Sequence, residues 1–192
     1  MNNEIINASN VLKFGGTVLY PTDTIWGIGC DALSDISVKR IFQIKNRDYS
    51  KSLICLASSF EMIEEYVSIK DIEKLEKISN EAPTTFIFDY PKRISSYVTA
   101  GLNSIAFRVP NNKFCIDLIE SLGRPIVSSS ANLSGEKIPL NFSEINSRIK
   151  NNVDYVVKQD KDKDSHSSSR ILKLEEDGSI LTLRWSHIQK KY

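Results

Sequence analysis

The residues best suited to directed chemistry form the cluster SSSANLSG at positions 128–135, which carries four hydroxyl groups and one amide. Such side chains make directional hydrogen bonds without carrying charge. The cluster follows the apolar segment 125–127, which predicts a buried strand, and ligands of open α/β sheets bind at the carboxyl ends of strands. A Ser-rich turn without a ligand is the alternative for this cluster alone. Two further polar clusters in similar places favour a binding site.

The second cluster is basic: Lys45, Arg47 and Lys51 place three cations within seven residues, where a predicted helix ends. Arginine binds phosphate or carboxylate through two parallel donors, and lysine supplies a point charge, so this spacing indicates an anion site. A purely structural role is the alternative, because cations are also favourable at a helix C-terminus.

The third cluster, Thr-Asp-Thr at positions 22–24, precedes Gly27 and Gly29. A structural turn capped by the aspartate is its alternative interpretation. The two glycines lack the third glycine and the later acidic residue of a dinucleotide fingerprint, and the chain has no Walker motif. Separately, Arg108 ends an apolar strand, where a charge needs a partner. That partner is either a salt bridge at the strand end or a ligand carboxylate or phosphate.

Composition narrows the class of protein. The 192 residues are 41% apolar and 26% charged with a formal net charge of +1, which fits one globular domain and gives no electrostatic argument for nucleic acid or membrane. There is no apolar run of membrane-spanning length, and because the first ten residues lack a basic start and an apolar stretch, we expect no signal peptide. The three scattered cysteines (Cys30, Cys55 and Cys115) predict buried thiols in the reducing cytoplasm. Two histidines exclude a His-rich metal site, and we expect no metal ligands from protein side chains.

The spacing of the apolar residues, together with the residues that end helices, predicts alternating helices and strands. Helices are expected at 3–14, 37–45, 113–122 and 143–149, with two more inside 59–79. Strands are expected at 17–20, 53–57, 85–88, 105–109, 125–128, 155–157, 171–174 and 180–184, with a polar loop at 159–168 and a turn at 176–178. The prediction is one α/β domain of α+β character over 1–192, with a core of about 4–186 and a mixed sheet.

Taken in order, four stretches resemble the YrdC-like family of threonylcarbamoyl-AMP synthases: YPTDTIWGIGCDA (20–32), KNRDYSKSL (45–53), SIAFRVP (104–110) and SSSANLSG (128–135). A weaker fifth stretch, SSRILKL followed by LTLR, resembles the family's Ser-Thr-Ile segment and closing arginine. The resemblance covers nearly the whole chain, and it is to the short form without an additional C-terminal domain.

The resemblance implies a twisted mixed β-sheet flanked by helices around a concave basic cavity. It implies a nucleotidyltransferase that condenses L-threonine, bicarbonate and ATP into threonylcarbamoyl-adenylate and pyrophosphate. That product supplies threonylcarbamoyladenosine (t6A) at position 37 of tRNAs that read ANN codons. The implied partners are these three substrates, tRNA as the final acceptor, and separate downstream threonylcarbamoyl-transferase proteins, with no membrane. Both reacting groups are anionic, so Mg²⁺ bound with ATP would share the charge, and positioning should dominate catalysis.

Matching motifs imply these site residues. Threonine or its carbamate would contact Thr24, Arg108, Ser128 and Ser169. ATP would contact Lys45, Arg47, Lys51, Ser104, Ser130, Asn132, Ile138 and Arg184. Catalytic roles fall on Lys45, Arg47 and Arg108, with Arg108 on the threonine carboxylate.

The chain departs from the family pattern at four places. Asp48 replaces a proline in the basic motif, where its negative charge would weaken a phosphate site unless it points outward. The loop at 80–83 reads NEAP instead of Trp-Pro-Gly-Pro, and Trp26 replaces a tyrosine. The family's Ser-Thr-Ile reads Ser-Arg-Ile from Ser169, and a shift of one residue would make Ser168 the match.

Two alternatives remain open from the sequence. One is an RNA-binding or ribosome-maturation module that uses the same concave face, although near-neutral charge and the lack of an RNA-recognition motif count against it. The other is a paralogue with altered activity, against which the joint presence of Lys45, Arg47, Ser130 and Asn132 argues.

Overall fold

The computed structural model describes residues 3–161, 168–175 and 179–184. Its helices are α1 (Asn3–Lys13), α2 (Asp35–Lys45), α3 (Phe60–Glu64), α4 (Ile72–Glu81), α5 (Ser96–Thr99), α6 (Lys113–Leu122) and α7 (Ser147–Asn152). Its strands are β1 (Val18–Tyr20), β2 (Gly27–Asp31), β3 (Ile54–Leu56), β4 (Thr84–Asp89), β5 (Ser104–Arg108), β6 (Ile126–Ser130), β7 (Tyr155–Val156), β8 (Arg170–Leu174) and β9 (Ile180–Arg184).

These nine strands form one mixed sheet in the order β7-β1-β2-β6-β3-β5-β4-β8-β9. The pairs β1/β7, β3/β5 and β4/β8 are parallel, and the other neighbours are antiparallel. The predicted mixed α/β class is therefore confirmed. Within the described residues, no helix combines the length and apolar character needed to cross a bilayer.

The two faces of the sheet are covered differently. On one face, buried side chains such as Phe86, Phe107 and Val127 pack against helices α2, α3, α4, α5 and α7 in the main core. On the other face, α1 and α6 form a second core with Val18, Tyr20 and neighbouring side chains. Because α1 and α6 pack at one end of that second face, the part that includes β4 and β8 is left for a cavity.

The end of α2 is fixed by its caps. At its start, the Ser34 side chain accepts a hydrogen bond from the backbone N–H of Ser37. At its end, Asn46 adopts a left-handed conformation (φ 50°), and its N–H bonds to carbonyls of the last turn. Asparagine tolerates this conformation better than most residues. The chain therefore changes direction between Lys45 and Arg47.

Two predicted turns are strands in the structure. Residues 128–130 form the last part of strand β6, where the sequence predicted that the strand ends and a turn begins. Gly27 and Gly29 lie in the buried strand β2. A Cβ at Gly29 would lie 2.4 Å from the Val127 carbonyl oxygen and 2.9 Å from the Tyr20 ring. Glycine is required there because neighbouring strands approach so closely, a requirement that local sequence patterns do not reveal.

The other differences are smaller. The helix predicted at 143–149 begins only at Ser147, because the Asn146 side chain caps it by accepting from the N–H of Arg148. The one-turn helix α5 was not predicted. Most of the predicted loop at 159–168, the turn at 176–178 and both histidines (His166 and His187) lie outside the described residues.

Candidate anion-binding site

A cavity of about 340 Å³ lies on the second face of the sheet. Alternate residues of the central strands line it, among them Ile54 of β3, Ala106 of β5 and Ser128 of β6. The register explains this set, because Ile54 lies opposite both Ala106 and Ser128, and side chains of paired residues share one face. The floor of the cavity is the sheet face itself, and the lining also includes the last residues of strands, such as Arg108 of β5 and Ser130 of β6. The expected site at the carboxyl ends of strands stays a prediction.

Three guanidinium groups, those of Arg47, Arg108 and Arg184, line this cavity. None of the lining residues in the described chain is an aspartate or a glutamate. The cavity therefore concentrates positive charge, although the chain as a whole carries a formal net charge of only +1. This arrangement suits an anionic ligand.

Arg108 is 5% exposed and is held by two side chains. It donates to the Thr24 hydroxyl over 2.8 Å and to the Asp23 carboxylate over 2.5 Å. Asp23 also accepts from the backbone N–H of Asn111 over 3.2 Å. The Nε of Arg108 is buried without a hydrogen-bond acceptor in the described part of the chain. The guanidinium is thus fixed in orientation and keeps donors for a ligand.

Thr22 organises the turn that presents these partners to Arg108. Its hydroxyl oxygen accepts from the backbone N–H groups of Thr24 and Ile25 over 3.0 and 3.2 Å, and it donates to the Ile25 carbonyl over 2.8 Å. The sequence predicted this turn, but it did not predict that Asp23 would pair with Arg108, which lies 85 positions away in the chain. The salt bridge considered for Arg108 therefore exists, and Arg108 also lines the cavity.

Strands β4, β8 and β9 meet at a second network of hydrogen bonds. The buried hydroxyls of Ser169 and Thr85 lie 2.8 Å apart, and Arg184 donates to the Ser169 carbonyl from Nε and Nη2 over 3.1 and 2.8 Å. Partial burial lowers the pKa of Arg184, and the positive charge of Arg108 lowers it further. Ser168 and Ser169 both line the cavity, so both registers of the Ser-Thr-Ile match remain compatible with a ligand contact.

The three cations predicted as one cluster separate in the structure. Arg47 lines the cavity, and it donates to the carbonyls of Ser52 and Lys51 over 2.8 and 3.3 Å. Burial lowers its pKa. Lys51 is exposed and is not among the lining residues. Lys45 is 2% exposed and also lies outside the lining; its amino group donates to the carbonyls of Ser130 and Asn132. Their assignment to phosphates stays a prediction.

The remaining predicted ATP contacts are also distributed unevenly. Ser130 and the exposed Ile138 line the cavity, whereas Ser104 lies at the start of β5 beyond it. The Asn132 side chain accepts from the Ser130 hydroxyl and donates to the carbonyls of Leu133 and Glu136 over 3.0 and 2.8 Å. Asn132 therefore orders the loop after β6.

The residues that depart from the family pattern (Asp48, 80–83, Trp26 and Arg170) are not among those that line the cavity. Asp48 is exposed, and its carboxylate accepts from the backbone N–H of Ser50 over 2.8 Å, which lowers the pKa of Asp48. Trp26 is buried against Phe142 with ring centroids 5.0 Å apart. Arg170 donates to the Thr84 hydroxyl and to the Ile78 carbonyl, each over 2.7 Å, and so ties α4 to β8.

The described residues contain no group of three or more His, Cys, Asp or Glu side chains placed to hold a metal ion. The cavity offers hydroxyls and guanidinium groups there, which suit phosphate oxygens better than a divalent cation.

The chain is a mixed α/β domain with an arginine-lined cavity on one face of its sheet. A family model matches residues 10–186: Sua5/YciO/YrdC, described as "Telomere recombination". The chain belongs to this family. A Klebsiella pneumoniae protein named threonylcarbamoyl-AMP synthase is 36% identical over 139 residues, which cover 69% of this chain and 72% of that protein. An Escherichia coli protein of the same name is 33% identical over 135 residues, covering 68% and 71%.

Solved structures agree on the fold. A P. abyssi Sua5 structure "complexed with L-threonine" superposes with a TM-score of 0.85 at 27% identity and covers 97% of this chain. The chain spans 55% of that Sua5 protein. E. coli YciO superposes with a TM-score of 0.80 at 22% identity, covering 95% of this chain and 89% of YciO, a likeness that concerns the fold alone.

Proposed function

We propose that the chain is a threonylcarbamoyl-AMP synthase that condenses L-threonine, bicarbonate and ATP into threonylcarbamoyl-adenylate and pyrophosphate. The observation that carries the proposal is the cavity with three arginines and, in the described chain, no acidic lining residue. Both reactants in the final step are anions, and this cavity could hold them side by side. The family's named synthases and the threonine complex of P. abyssi Sua5 support the same reaction.

The chemistry requires positioning more than a protein nucleophile. The amine of threonine attacks the carbon of bicarbonate, and loss of water leaves a carbamate. A carbamate oxygen then attacks the α-phosphorus of ATP in line, the bond to the β-phosphate breaks, and pyrophosphate leaves. Repulsion between the two anions is the main barrier that a basic site lowers. The reaction class is nucleotidyl transfer.

We assign the threonine end of the cavity to Arg108, Thr24, Ser128 and Ser169. The guanidinium of Arg108 is held by Asp23 and Thr24 and keeps its buried Nε donor, which suits a carboxylate. Hydroxyls from β6 and from the segment before β8 lie around the same space.

We assign the phosphate end to Arg47 and Arg184, whose described hydrogen bonds go to backbone carbonyls and not to carboxylates. Their charge is thus not neutralised locally. Ser130 and Ile138 line the cavity as further nucleotide contacts. Lys51 and Ser104 remain in this assignment as residues that a bound nucleotide would reach from outside the cavity lining.

Mg²⁺ enters the proposal only as the ion that accompanies ATP. When bound, it supplies charge neutralisation on the phosphates. The described cavity residues give no carboxylate for it, so no protein ligand is assigned.

The biological role proposed with this activity is supply of the threonylcarbamoyl group for t6A at position 37 of tRNAs that read ANN codons. Transfer to tRNA would fall to separate threonylcarbamoyl-transferase proteins. We place this work in the cytoplasm, a placement supported by three buried cysteines that are free thiols.

The test is pyrophosphate release from ATP and Mg²⁺, measured with and without L-threonine and bicarbonate. We expect release only when both are present, with serine and valine as much poorer substitutes. Folded protein that releases no pyrophosphate in response to threonine would contradict the proposal and favour a paralogue of altered activity.

A further inference from the structure

Lys45 is a buried cation that the proposed reaction does not account for. It is the last residue of α2 and is 2% exposed. Within the described residues no carboxylate pairs with it. Its amino group instead donates to the carbonyl oxygens of Ser130 and Asn132, the latter over 2.7 Å.

The backbone of Lys45 repeats this attachment. Its carbonyl accepts from the backbone N–H of Ser134 over 2.8 Å, so Lys45 holds the chain that leaves β6 at three points across 130–134. The same segment bonds to the rest of the sheet through the N–H of Ala131 and the carbonyl of Trp26 over 2.9 Å.

The two joined segments carry different parts of the cavity. Ser130, at the end of β6, lines it, and Arg47, two residues beyond Lys45, lines it from the end of α2. The position of each relative to the other depends on how the 130–134 segment sits against α2.

We propose that Lys45 is a positioning residue that pins the 130–134 segment to the end of α2, so that Ser130 and Arg47 face one cavity, and that it does not itself contact a phosphate. The inference rests on the proposed function in that ATP is taken as the ligand of this cavity.

The chemistry of the donors and acceptors supports a pin. Carbonyl groups inside the fold need donors. A side chain without N–H groups would leave the Asn132 carbonyl without this donor, and it would leave the Ser130 carbonyl only the backbone N–H of Asn132 over 2.9 Å. Burial, and secondarily the charge of Arg47, lowers the pKa of Lys45 to about 7. The neutral amine still has two N–H groups for two carbonyls, so the pin holds in either protonation state. A phosphate contact, in contrast, would favour the charged form.

The first experiment uses the wild-type protein and follows the side-chain ¹⁵Nζ signal of Lys45 by NMR through a pH titration, with and without saturating ATP. If Lys45 positions the 130–134 segment without contacting a phosphate, we expect ATP to move the midpoint of this titration by no more than about half a pH unit. A rise of a full unit or more on ATP binding would overturn the proposal, because it would place a phosphate against the ammonium.

The second experiment compares Lys45→Met with Lys39→Met, a control that removes an exposed lysine from the same helix, where its amino group lies 4.6 Å from the centre of the Tyr97 ring. In Lys45→Met without ligand, we expect amide hydrogen exchange at 131–134 to rise at least tenfold. We also expect KM for ATP to rise about tenfold while KM for threonine changes less than twofold. The control should match wild type in all three.

Unchanged exchange at 131–134 together with weaker ATP binding would instead identify Lys45 as a direct phosphate contact and overturn the pin. Wild-type values throughout would also overturn it. Should Lys45→Met not fold, the wild-type titration decides alone. The exchange readout needs no turnover, so a failure of the proposed reaction would show separately, as absent threonine-dependent pyrophosphate release from wild-type protein.

Discussion

The arginine proposed for threonine, called here the neutral end of the cavity, and the two arginines proposed for the phosphates, called the positive end, are held in opposite ways. Arg108 is almost fully buried and forms an ion pair with Asp23. Arg47 is half-buried and Arg184 is exposed, and their described hydrogen bonds go to backbone carbonyls. One end is rigid and locally neutral, whereas the other keeps its positive charge.

This difference matches the two ligands of the proposed reaction. Threonine has a single carboxylate, and a fixed guanidinium recognises it by geometry. The triphosphate carries several negative charges, and net positive charge binds it best. Polar groups set in place before the ligand arrives avoid the cost of ordering them during binding.

The largest expected effect is at the neutral end. Arg108→Ala should raise KM for threonine about a hundredfold and KM for ATP much less, because it removes the proposed carboxylate donor. It should also lower the free energy of unfolding by about 3 kcal/mol, since the mostly buried Asp23 would lose its charged partner and keep only the backbone N–H of Asn111. Steady-state kinetics and urea titration measure the two effects.

The double variant Asp23→Asn with Arg108→Ala separates these effects. It should recover stability without recovering threonine binding. Equal increases of both KM values in Arg108→Ala would remove the carboxylate assignment.

At the positive end, Arg47→Ala should weaken ATP binding about thirtyfold, a loss of about 2 kcal/mol from charge-assisted hydrogen bonds, in a protein that stays folded. Calorimetric titration with ATP measures it, and the matched control is Arg148→Ala, which removes an exposed arginine of α7. Nucleotide affinity equal to that of the control would rule out the phosphate role.

The buried amino group of Lys45, near this end, should also make the free energy of unfolding depend on pH. The pKa of Lys45 is lowered to about 7 in the folded state, so the unfolded chain binds more protons above that pH, and stability rises as pH increases. Between pH 6.5 and 8.5 we expect wild type to gain about 1 to 2 kcal/mol relative to Lys45→Met. Urea titrations at both pH values test this, and parallel curves for the two proteins would contradict it.

The smallest expected effect distinguishes Ser169 from Ser168, the two serines that precede β8. Ser169→Ala should cost about 1 kcal/mol of stability, because the buried Thr85 hydroxyl loses its partner, and should raise KM for threonine severalfold. Ser168→Ala is the matched control and should change neither quantity. If KM for threonine rises in Ser168→Ala and not in Ser169→Ala, Ser168 is the threonine contact.

Much of this site was predictable from local sequence. The order of the motifs indicated the family, and strand and helix patterns placed Arg108 at the end of β5 and Arg47 just after α2. The strand β2 was missed, because the spacing that requires Gly29 comes from Val127 and Tyr20, which lie far away in the chain or on another strand.

The sequence by itself determined which residue types are available: a basic cluster, a hydroxyl cluster, a strand-end arginine and the family they identify. Only the tertiary structure decided which of them face one cavity. Strand register alternates side chains between the two faces of the sheet, and it put Ser128 beside Ile54 and Ala106. Two hydrogen bonds join residues that lie 85 positions apart in the chain: Arg108 donates to Asp23, and Lys45 donates to the Ser130 carbonyl. Such contacts depend on how distant segments pack, which no local pattern of residues specifies.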